Sequence, residues 1–140
     1  MREFLLALFL IPFIDSFWLL YIFKEYNSMI KSIQGDGIAL RFISGFVVYT
    51  VMALGARLLV LPKIRTERIW KDSLLYAGIY GLVIYTTFDF TNYALFKNWK
   101  AWLMIREVFA GTSATVTACA LTKYASQTLF GAEKARVKSS

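Results

Sequence analysis

The chain has 140 residues, of which 58% are apolar against the roughly 45–50% usual in soluble domains; its mean hydropathy is +0.53. One compact unit of this length has too little interior to hide so much Phe, Leu, Ile and Tyr, so a bilayer is the expected surrounding. It has no histidine and a single cysteine, Cys119, which excludes imidazole-based triads, histidine-ligated zinc, haem or di-iron chemistry, an internal disulfide and a CxxC redox pair.

The sequence reads as an all-α integral membrane bundle, with four apolar stretches near the roughly 20 residues that cross a hydrocarbon core. The first, residues 4–23, carries one charge, Asp15, and no small-residue cleavage signal follows it, so it reads as an uncleaved helix. The second, 38–61, holds Arg41 near one end and Arg57 near the other. The third, 74–96, contains Asp89, and the fourth, 101–121, contains the adjacent Arg106 and Glu107. Between them lie an outer loop over 24–37 with an Asp36-Gly37 turn signal, a basic loop over 62–73, and a tight turn over 97–100 that makes the last two helices antiparallel neighbours. The basic tail over 123–140 lies either on anionic headgroups or in solvent. The whole chain reads as a single four-helix domain, without an internal repeat.

The net charge of +7 suggests nucleic acid, but the basic residues sit in short loops between apolar runs. Nine of them (Arg2, Lys63, Arg65, Arg68, Lys71, Lys123, Lys134, Arg136 and Lys138) fall on one side, against Lys24, Lys31, Lys97 and Lys100 on the other. The positive-inside bias then places both termini in the cytoplasm. No GxGxxG or GxxxxGKS/T string offers a nucleotide cradle, and no cofactor or metal is called for.

An unpaired charge at the bilayer centre costs roughly 2.5–3.5 kcal/mol, so Asp15, Asp89, Arg106 and Glu107 are expected to face the interior, each other or water. At a rise of 1.5 Å per residue, Asp89 and Glu107 lie about 10–12 Å in from the 97–100 turn, and Asp15 about 13 Å from its own outer end. Three acids from three helices thus share one depth, with Arg106 level with them. Gly81, Tyr85, Asp89 and Asn92 form one stripe on the third helix, and Glu107 shares a face with Gly111 and Ala114. Trp18 stands one turn from Asp15, where its indole can cover or hydrogen-bond a polar neighbour. Pairing of Asp89 with Arg106 would make these groups structural glue. Alternatively, three carboxyls against at most two cations leave an excess acid suited to a proton or a ligand.

The residues also carry a resemblance. Ile14-Asp15-Ser16-Phe17-Trp18-Leu19 resembles the Asp-x-x-Trp-Leu of the first helix in a bacterial family of predicted membrane proteins, domain of unknown function family 2177. Tyr85-Thr86-Thr87-Phe88-Asp89-Phe90-Thr91-Asn92-Tyr93-Ala94 is similar to its Tyr-x-Thr-Tyr-Asp-x-Thr-Asn-x-Ala signature, with Trp99 following at a matching distance. The likeness extends from about Phe4 to Tyr124 and includes Pro62. Where the family tends to show Asp-x-x-Trp-Gly in the fourth helix, this chain has Glu107-Val108-Phe109-Ala110-Gly111. The resemblance implies a four-helix membrane protein, singles out Asp15, Asp89, Thr91 and Asn92, and supplies no activity.

Three functions remain. The first is a non-enzymatic protein that binds or passes a small solute, ion or proton, with Asp15, Trp18, Tyr85, Asp89, Thr91, Asn92, Arg106 and Glu107 as the candidate set. It would sit among membrane lipid and need a homo-oligomer to enclose a path. The second is an enzyme acting on a lipid or isoprenoid through carboxylate acid–base chemistry, although no catalytic residue is assigned. The third is a structural or assembly subunit of a membrane complex.

Overall fold

The computed structural model describes residues 1–138, with side chains described to residue 129. Among the described residues the regular structure is all helical: α1 (Arg2–Gln34), α2 (Phe42–Lys63), α3 (Thr66–Leu95) and α4 (Ala101–Lys138). α1, α2 and α3 are long and apolar enough to cross a membrane. α4 is long enough but more polar, since Arg106, Glu107, Thr112, Ser113, Thr115, Thr117 and Thr122 interrupt its apolar residues. It is also the helix most enclosed by the others, pairing most extensively with α3 and then with α1.

Element ends depart from the sequence reading in physically simple ways. α1 continues three turns past residue 23 through the expected outer loop. Tyr26, Met29, Ile30 and Ile33 keep the i, i+3, i+4, i+7 spacing of an apolar face, and they pack beside Trp99, Leu103 and Met104. Gly35, at φ 90°, ends the helix, while Asn27 Oδ1 accepts a hydrogen bond from the Ile38 amide and holds the turn. α2 accordingly begins at Phe42, not 38. α3 begins at Thr66, eight residues before the expected 74. Asp72 accepts bonds from the Arg65 amide and guanidinium, which closes the basic loop into helical turns. α4 runs on helically to Lys138, so the backbone of the expected tail is helix that far; contact of that tail with headgroups lies largely outside the described side chains.

α2 and α3 each contain one π turn, Ala56–Val60 and Ser73–Ala77. At the first, the Tyr80 hydroxyl donates to Met52 O from a position that a side chain on Gly55 would occupy.

The burial pattern is inverted relative to a soluble bundle. Large apolar side chains such as Phe9, Phe17, Phe46, Leu58, Val83 and Phe109 are exposed, whereas three acids, Asp15, Asp89 and Glu107, are buried among small and apolar residues. Two apolar clusters fill the interior. One gathers Ala7, Ile11, Met52, Ala53, Ala56, Ala77 and Cys119; the other gathers Ile22, Met29, Trp99, Leu103 and Met104. In sequence, Asp15 and Glu107 each fall between residues of the two clusters, and Asp89 falls between Tyr85 and Trp99.

Candidate functional site

Close approach of α3 and α4 creates the site. A Cβ on Gly81 would come within 3.0 Å of Thr112 Cα, and one on Gly111 would collide with the Tyr85 ring. With both positions free of side chains, Tyr85 lies flat enough on α4 for its hydroxyl to reach α1, where it donates to Asp15 Oδ1 at 3.2 Å. Tyr49 of α2 donates to the other oxygen, Asp15 Oδ2, at 2.7 Å. Asp15 therefore ties three helices together, and both its oxygens are satisfied.

The other two acids are arranged differently. Asp89 is 0% exposed and neither of its carboxylate oxygens has a hydrogen-bond partner. Glu107 is 7% exposed, and its buried Oε2 is also without a partner. Two donors face these acids without completing a hydrogen bond: the Trp99 indole N–H beside Asp89, and the Tyr26 hydroxyl beside Glu107. Trp99 Nε1, Trp18 Nε1 and Thr112 Oγ1 are likewise buried without a partner. A native interior rarely leaves so many polar atoms unpaired. The Trp99 ring is held edge-on by Tyr26 and Phe88 and tilted against Phe96.

The remaining candidates separate by helix face. Arg106 is exposed on α4 with its guanidinium over the Trp102 ring, 5.4 Å from the centroid, and among the described residues no carboxylate lies within ion-pair distance of it. Of the two alternatives the sequence left open, the Asp89–Arg106 bridge is therefore not formed, because Arg106 and Glu107 are adjacent and point about 100° apart on one helix. Arg41 is exposed as well. Thr91 is exposed and Asn92 half-buried, so neither lines the interior as Asp89 does. Trp18 is half-buried, with its indole N–H inward but not bonded to Asp15. Among the described residues, no group of three or more His, Cys, Asp or Glu is arranged to hold a metal ion.

Three aromatic residues belong to the site that residue type alone did not mark: Tyr49, Tyr26 and Trp99. Tyr49 lies eight residues past Arg41, at the depth of the acids, and that depth was its only signal. Tyr26 fell in the expected loop. Trp99 entered through the family resemblance, not through any chemical expectation.

At the opposite end of the bundle, Glu3 meets Arg57 at 3.7 Å and Lys123 at 3.4 Å, and Lys123 also donates to Leu61 O. Arg57 and Lys123 thus share one carboxylate, and the start of α1, the end of α2 and Lys123 of α4 lie together.

An inverted helical bundle with long apolar helices defines a predicted membrane protein. The family model for predicted membrane proteins of the DUF2177 type matches residues 1–124, and the chain belongs to that family. No curated protein and no solved structure matches the chain.

Proposed function

We propose that all four helices cross the membrane with both termini in the cytoplasm, and that Asp89 and Glu107 form an interior site for a proton, ion or small solute. One observation carries this reading: Asp89 is wholly buried with neither oxygen bonded, and among the described residues no Lys or Arg forms an ion pair with it. An uncompensated buried carboxylate is costly, so the pair is stable only with a proton, an ion or a polar ligand beside it. Asp15, satisfied by Tyr49 and Tyr85, is the structural member of the group and not the working one. The short α3–α4 turn supports a fourth crossing, since α4 must return alongside α3 through the same slab.

Infrared spectroscopy of the protein in lipid at neutral pH tests the site. The wild type is expected to show a carboxylic-acid C=O band that Asp89→Asn or Glu107→Gln removes, or a carboxylate band that shifts with added sodium or potassium in the wild type alone. Spectra of the two variants matching the wild type throughout would reject the reading. The topology has its own check. Cys119 is buried, so cysteines introduced at residue 2 or 36 can be probed singly with an impermeant maleimide, and residue 36 is expected to label from outside.

A further inference from the structure

A groove runs along the membrane-facing side of α1 and α4. Its floor includes the small residues Ala110 and Ala114, with Trp18 and Phe17 of α1 beside them, and Arg106 lies at the end nearest the 97–100 turn. We infer that this groove seats one acyl chain of a phospholipid from the leaflet on that side, with Arg106 bound to its phosphate. The inference rests on the helices lying in a bilayer and not on the carboxyl pair.

Three observations converge on that occupant. First, the polar groups the groove offers, Arg106 and Tyr21, lie towards the end nearest the 97–100 turn, and the hydroxyls of Ser113 and Thr117 further along it need no water. Ser113 Oγ donates to Phe109 O at 2.8 Å and Thr117 Oγ1 donates to Ser113 O at 2.8 Å, so both hydroxyls are turned back onto their own helix. Second, the groove is long enough. The lining runs from Ile105 to Thr117 on α4, about 18 Å at 1.5 Å per residue, and a chain reaching from the level of Arg106 to the centre of a 30 Å hydrocarbon core needs less than about 15 Å of it.

Third, the charge is complementary. Arg106 is exposed with no carboxylate partner among the described residues, and its guanidinium reaches back over Trp102, one turn closer to the membrane surface. A cation in that position snorkels towards the headgroups, where phosphate is the anion at hand and matches the guanidinium fork in geometry. Lys97 and Lys100 add positive charge at the same end.

Native mass spectrometry tests the inference, using full-length protein in mild detergent with dioleoyl phosphatidylglycerol. The wild type is expected to retain one lipid. Arg106→Gln is expected to lower retention about tenfold, as for loss of one charge-assisted contact, and Arg106→Lys to restore part of it. Ala110→Trp fills the floor and is expected to abolish retention while leaving Arg106 in place. Equal lipid retention in wild type, Arg106→Gln and Ala110→Trp would overturn the inference. So would a wild-type dimer free of lipid that Ala110→Trp dissociates, because the groove would then seat a second copy.

Discussion

The Tyr85 ring lies so close to the Gly111 backbone that a single Cβ at residue 111 would occupy the ring's own position. This contact between α3 and α4 brings a tyrosine hydroxyl across the bundle to a carboxylate on α1. Packing and polar chemistry are therefore coupled: the small residue on one helix sets the reach of the polar group on another.

Gly111→Val is expected to displace Tyr85 and destabilise the bundle by about 1–3 kcal/mol, the usual cost of overpacking. Thermal unfolding in detergent measures it. Combining Gly111→Val with Tyr85→Ala should recover part of the loss, because the smaller side chain vacates the space, and the two changes should be clearly non-additive. Strict additivity would show that the two residues do not meet.

The two tyrosines on Asp15 give a second expectation. Tyr49→Phe should destabilise more than Tyr85→Phe, since its bond is 2.7 Å against 3.2 Å. Each loss should lie near the average of about 0.6 kcal/mol for hydrogen bonds between membrane helices, and below about 1.7. The double variant leaves Asp15 buried with no donor, so its cost should exceed the sum. Chemical denaturation in mixed micelles reads the difference, and a double variant no worse than the sum would sink the clamp.

How far the sequence reveals this arrangement depends on which coordinate of a residue is asked for. Depth along a membrane helix follows from counting, so the shared level of Asp15, Asp89 and Glu107 is legible without a structure. Azimuth is less so. Arg106 was placed with the acids on depth alone, yet adjacency to Glu107 turns it about 100° away, and Thr91, two residues past Asp89, falls on the far side by the same rule. Tyr49 and Tyr26 have no signature in a chain where aromatics make up 17% of residues. The extension of α1 was hidden because Lys24, Glu25 and Lys31 end the apolar run without ending the helical period of Tyr26, Met29, Ile30 and Ile33.

Asp89 and Asp15 should respond oppositely to replacement by leucine, which has the same branched skeleton in apolar, somewhat larger form. Asp89→Leu removes a buried polar group that bonds to nothing, and stability is expected to hold or rise, by up to about 1–4 kcal/mol. Asp15→Leu strands two tyrosine hydroxyls and should cost about 1–3 kcal/mol for each that stays buried. If Asp89→Leu proves the more damaging change, Asp89 has a structural role and its assignment to an interior site fails. A gain in stability there would fit the common pattern in which a functional site is held at a cost to the fold.

The loop between α2 and α3 offers a test independent of the membrane interior. Asp72 Oδ2 accepts from the Arg65 amide at 3.0 Å and from Arg65 Nε at 2.8 Å, and Oδ1 accepts from Nη2 at 2.9 Å. One carboxylate thus fixes both the backbone and the side chain of the residue that starts the turn into α3. Asp72→Ala is expected to speed hydrogen exchange at Arg65 and in the first turn, Thr66–Arg68, while exchange near Tyr85 stays slow. Arg65→Ala keeps the amide bond and should produce the smaller effect. Equal exchange in wild type and Asp72→Ala would mean that Pro62 and the packing of Ile64 and Ile69 hold the loop unaided, and that the carboxylate is incidental to how α3 begins.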